Sequence, residues 1–167
     1  MNPLTFSIKQ QICTEWCWAS VVAAVCAYYQ DDGAPDQRGV VSLVNNDDSG
    51  DCGCDHDASL PCNQPEDLSV VLAAVQHLGP ELASPQFSDI TGEIDLGQPV
   101  VVQVELSEAA ASGHAIAIYG YTDQRTVYIA DPMHAGDKIT AVFDDLLNGT
   151  SSTFHATWRT AFKTIPK

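Results

Sequence analysis

The chain has 167 residues, with 22 acids against 7 bases and a formal net charge of −15. That length allows one domain with a hydrophobic core, and 45% hydrophobic residues is the content of a folded chain. The charge makes nucleic acid a poor partner, because phosphate binding needs clustered Lys and Arg, and it disfavours an anionic membrane; no apolar run approaches the roughly 18 residues of a transmembrane helix.

In chain order, the first eleven residues, MNPLTFSIKQQ, lack a basic patch followed by an apolar core and so read as no signal peptide. Residues 17–30 are apolar on nearly every face, which predicts a buried central helix. Residues 36–46 predict a short second helix, and 47–64 a polar loop rich in Asp, Gly and Cys. Residues 65–79 begin with Pro and acids and end at Gly79-Pro80, which predicts a third helix with His77 on its surface. The pattern then changes. Residues 99–106, 114–121 and 126–131 are rich in β-branched and aromatic residues and predict strands, the last two joined by a turn at Thr122–Arg125. Residues 139–143 and 154–165 add strand material, with a short helix near 144–148. Helices first and strands after predict an α+β fold over a single domain, 1–167: an N-terminal helical half whose central helix carries Cys17, and a C-terminal antiparallel sheet half.

The stretch QICTEWCWAS places Cys17 where that helix starts. Unpaired N–H groups at a helix N-terminus favour the thiolate, the nucleophilic form of cysteine. A thiol used this way needs a base, and His114, at the mouth of a strong strand after a small-residue loop, is the candidate. Asp131 closes the next strand before Pro132, where hairpin pairing can bring it beside His114 to set its tautomer. Acyl chemistry also needs donors for an oxyanion. The Cys17 backbone N–H is one and the Gln11 side chain a second, with Gln10 competing for that role. Trp18 reads as packing against the helix and Trp16 as lying along the cleft; both are cleft candidates together with Gly113, and His134 can edge the same cleft.

Apart from Cys17, five cysteines stay open as disulfide or structural residues: Cys13, Cys26, Cys52, Cys54 and Cys62. Five is odd, so at least one is unpaired within the chain. Cys13 either joins the 52–62 loop or stays reduced. Cys52 and Cys54, one glycine apart, would bond each other only with strain and so point to different partners. Disulfides would imply an oxidising destination. The alternative is zinc on Cys52, Cys54, His56 and Cys62. Residues 45–51 carry calcium-loop chemistry without the closing Glu and read as a solvated turn, and Asn148-Gly149-Thr150 is a formal glycosylation sequon.

Gln11, five residues and then Cys17-Trp18-Ala19, followed far downstream by Gly113-His114-Ala115 and the strand to Tyr121, resemble papain-like cysteine proteases of the compact bacterial secreted or effector type. Asp144–Leu147 and Thr157-Trp158 resemble those relatives too, and Asp131 stands where the family usually has Asn. The resemblance spans about residues 7 to 165 and thins between 30 and 95. It implies a cysteine endopeptidase with Cys17, His114 and Asp131 as triad and Gln11 in the oxyanion hole, acting on protein substrates without a cofactor. With no pro-segment ahead of Cys17, restraint would fall to an inhibitory or immunity protein, and delivery would be secretion without a cleavable signal peptide in this chain. Two other readings use the same residues: a glutamine deamidase or transglutaminase, and an inactive binding module.

Overall fold

The computed structural model describes residues 3–30, 32–45, 62–107 and 113–167. Three helices come first: α1 (Cys17–Tyr28), α2 (Gln37–Asn45) and α3 (Leu68–Ala74). Then come β1 (Leu78–Leu82), α4 (Phe87–Asp95), β2 (Val100–Leu106), β3 (Gly113–Tyr121), β4 (Thr126–Ala130), β5 (Ile139–Val142), α5 (Phe143–Asn148) and β6 (Ala156–Thr164). The strands form one six-stranded antiparallel sheet in the order β1-β6-β2-β3-β4-β5.

The alternation of a strand explains how the sheet is covered. Val101, Ala115 and Ala117 point to the face packed by α1, α2 and α3. Val100, Val102, Val104, Ile116 and Ile118 point to the other face, packed by α4 and α5. In β3 the residues under α1 are alanines, so the helix lies close to the sheet, while the isoleucines fill the opposite core. Helix α1 accordingly buries nine of its 12 residues. The expected antiparallel sheet follows the first helices, and the short helix expected near 144–148 is α5. Two elements differ from the expectation: α4 precedes β2, and β1 joins the sheet edge from the first half of the chain.

The helix expected over 65–79 is shorter. Asp67 caps it, its carboxylate accepting the Ser69 N–H at 2.7 Å. Gln76 at φ 63° breaks it, and Gly79-Pro80 fall in the edge strand β1, where a missing N–H is tolerated. His77 is not on a helix surface: it is fully buried, its Nδ1 2.7 Å from the Ile165 carbonyl and its ring stacked on Tyr29. Helix α4 stands where the sequence pattern predicts no element; Asp89 accepts the Gln86 N–H at its start. Among the described residues, no helix is long and apolar enough to cross a membrane. The suspected calcium loop (apart from Asn45), Cys52, Cys54 and His56 lie outside the described residues.

Candidate active site

Cys17 is the first residue of α1, and no side chain caps that helix end. The preceding turn is held by Trp16 N–H on the Cys13 carbonyl (3.1 Å) and by Ser20 Oγ–H on Lys9 O (2.6 Å). The helix therefore presents its positive end where the thiol sits. Cys17 is a free thiol and only 8% exposed.

His114 is 4% exposed and Asp131 2%. His114 Nε2 lies 2.7 Å from Asp131 Oδ1. Its other hydrogen-bonding neighbour is the Cys17 thiol, which leaves Nδ1 for the sulfur. Burial pulls the His114 pKa down, but the hydrogen bonds to Asp131 and Cys17, with their charges, outweigh it and lift it to about 9. Burial likewise works against the Asp131 carboxylate, yet His114, His134 and the Met133 N–H hold it below the usual carboxylate range. The two residues do not face each other directly. The last β3–β4 pair is Ala117 with Ala130, so Asp131 continues opposite residue 116 and reaches His114 diagonally.

A cleft of about 60 Å³ opens over the thiol, lined by Glu15, Cys17, Trp18, Glu66, Gln103 and Gly113 among others. Trp18 and Gly113 thus stand at the cleft. A Cβ on Gly113 would come within 2.7 Å of Gln103 Nε2, so only glycine fits there with Gln103 in place. Trp16 is not along the cleft. It is fully buried, with Nε1–H donating to Cys62 O at 2.8 Å, and Trp18 Nε1–H likewise donates to Gln64 O at 3.0 Å. Both rings pin the segment that follows residue 61. Gln11 turns its amide away from the expected oxyanion position: Nε2 donates to the carbonyls of Cys13 (3.0 Å) and Thr14 (2.7 Å), and Oε1 is buried without a hydrogen-bond partner. Gln10 Nε2 donates to Met133 O at 3.0 Å.

Cys13 and Cys62 are disulfide-bonded, so Cys62 has no thiolate to offer the suspected zinc site. Cys26 is a fully buried thiol in the core face of α1. Among the described residues, no group of three or more His, Cys, Asp or Glu is placed to hold a metal ion.

Sequence reading did not single out Glu15, Glu66 and Gln103. Gln103 had a signal: it is the one polar residue in the run Val100–Val104. Glu66 had none, because its place at the cleft depends on how the 62–68 segment folds back on α1.

The sequence model of the Peptidase_C39 like family matches residues 3–164. Among solved structures, the chain is similar to the crystal structure of a candidate C39-like peptidase from Bacillus anthracis. The two are 15% identical, the match covers 100% of this chain and 99% of that one, and the TM-score is 0.64. A search of curated proteins finds no match.

Proposed function

The chain belongs to the Peptidase_C39 like family, and from that premise we propose that it is a cysteine peptidase in which Cys17, His114 and Asp131 act as a catalytic triad. The observation that carries the reading is the buried 2.7 Å contact between His114 Nε2 and Asp131 Oδ1, with the thiol of Cys17, at the N-terminus of α1, as the other partner of the same imidazole.

The thiolate of Cys17 attacks the carbonyl carbon of the scissile peptide, and the carbonyl oxygen becomes an oxyanion. The Cys17 backbone N–H is the donor nearest that charge, and donors of this type are each worth about 2.7–4 kcal/mol in the transition state. Gln11 joins as a second donor when Nε2 exchanges a carbonyl of Cys13 or Thr14 for the oxyanion. His114 as imidazolium then gives its Nδ1 proton to the leaving amine. A water, deprotonated by the imidazole, attacks the thioester of the acyl-enzyme, the C–S bond breaks, and the acid product leaves with the thiolate and imidazolium restored. Asp131 keeps Nε2–H bonded and compensates the imidazolium charge. The disulfide-bonded Cys13 and Cys62 fit a protein that works in an oxidising compartment.

The test is incubation with protein and peptide mixtures, comparing wild type with Cys17→Ala by mass spectrometry. New chain termini that vanish in the variant support peptide hydrolysis. A gain of about one dalton on glutamine without chain cleavage would instead select deamidation, which uses the same thioester chemistry. Neither product from a correctly folded wild type leaves the binding-module reading.

A further inference from the structure

Asp131 has two oxygens, and His114 with the Met133 N–H occupies only one of them. The other, Oδ2, lies 3.0 Å from Nδ1 of a second histidine, His134. The local sequence Asp131-Pro132-Met133-His134 explains why. Pro132 sets the second position of a turn in which His134 N–H donates to Asp131 O at 3.1 Å, and the Met133 N–H donates to Oδ1 at 2.8 Å. That turn returns the ring of His134 onto the carboxylate it started from. It is itself anchored to the strand of chain that leads into α1, by Gln11 N–H on Pro132 O at 2.9 Å and Gln10 Nε2 on Met133 O at 3.0 Å. Unlike His114, the side chain of His134 is 57% exposed, and it lines a cavity of about 580 Å³ that also reaches Asp131 but not Cys17. The other titratable groups lining that cavity are Asp137 and His155.

We propose that His134 is a positioning residue of the active site: by donating from Nδ1 to Oδ2 it holds the Asp131 carboxylate aimed at His114. Both the neutral Nδ1–H tautomer and the imidazolium can donate, so the clamp does not depend on the charge of His134. Without it, Oδ2 of an almost wholly buried carboxylate loses the donor that the described residues give it, and water entering from the cavity takes its place. The lowered pKa of Asp131, to which His134 contributes, agrees with this role. The chain of contacts runs His134–Asp131–His114–Cys17, so loosening the first link weakens the imidazolium that sustains the thiolate. His134 does not line the cleft over Cys17 and acts through Asp131, so it is a positioning residue and not a catalytic one. This inference rests on the peptidase reading.

The experiment is alkylation of Cys17 by iodoacetamide from pH 4 to 9, mapped by mass spectrometry, on wild type, His114→Ala, His134→Ala and His134→Asn, with thermal melts to check folding. Asparagine can place an N–H donor close to where Nδ1 stands. Expected are fast acidic-pH alkylation in wild type, its loss in His114→Ala, and an acid limb moved up by about one unit in His134→Ala. Below the limb that shift is roughly tenfold slower modification, and His134→Asn restores the wild-type profile. If wild type and His114→Ala behave as stated but His134→Ala matches wild type, or His134→Asn is as slow as alanine, the positioning role is overturned and the peptidase reading stands. If wild-type Cys17 is inert at acidic pH, the peptidase reading itself falls, and the inference with it.

Discussion

An imidazole with almost no solvent contact ordinarily sheds its proton, and His114 keeps it because Asp131 and Cys17 hold two of its sides. The pH behaviour follows. The folded pKa of His114 is raised from 6.5 to about 9, so the stabilisation from the imidazolium pair is complete below about 6.5 and is lost as the pH rises through about 9. Asp131 has the opposite sign: its contribution is present above its ordinary value and disappears as the pH falls through its lowered one. Two outcomes are expected. Turnover declines on the alkaline side near pH 9, and thermal melts show a larger gap between wild type and His114→Ala at pH 6 than at pH 10. Asp131→Asn removes the charge that sustains the imidazolium, so the alkaline limb of kcat/KM moves down by about one unit or more, read from a pH-rate profile. These residues were legible from sequence because each combines a reactive group with a telling position: a thiol at a helix start, a histidine at a strand mouth, an acid before a proline. Gln11 was legible only as a residue type, since the direction of its amide depends on which carbonyls the 13–14 turn offers.

Helix α1 carries Cys17 and strand β3 carries His114, the nucleophile and base of the proposed mechanism, so the spacing between these two elements sets the site. That spacing is set by Ala115 and Ala117 under α1. Ala117→Val inserts bulk into a fully buried contact and is expected to cost about 1–3 kcal/mol in chemical denaturation, with kcat falling more than KM changes, because the thiol moves relative to His114. Gly113→Ala tests the cleft itself. Its Cβ would displace Gln103, so kcat/KM on peptides drops while the melting temperature changes little. The strands and α1 could be read from periodicity. A helix over part of 65–79 could be read too, but not where it stops or that β1 follows it, because Gly79-Pro80 carries the same stop signal whether a helix ends there or an edge strand passes through.

Of the seven cations, Arg125 pairs with Asp144, Arg159 with Glu105 and Lys163 with Glu93, while Glu15 and Glu66 line the cleft. With a net charge of −15, the protein should draw in basic peptides faster than acidic ones. Raising the ionic strength from about 0.01 to 0.15 M shortens the Debye length from roughly 30 to 8 Å, so kcat/KM for a Lys-rich peptide should fall while that of a neutral peptide of equal length holds. The thiols set a second condition. Cys17 must be reduced while Cys13, four residues earlier, is disulfide-bonded. Mild reductant is expected to raise activity. Full reduction should lower stability by about 2–5 kcal/mol, seen as a drop in melting temperature, because the tie beside the turn that leads into α1 is lost.

The sequence by itself determined which chemical groups the chain carries, that Cys17 opens a buried helix, and that the second half is sheet, because helix starts and strand alternation are short-range properties of neighbouring residues. Only the tertiary structure decided that Asp131 meets His114 diagonally, that His134 turns back onto the same carboxylate, and that Trp16 and His77 lie in the core. Those outcomes depend on strand register and on which faces pack together, and register is set by contacts between residues far apart in the chain.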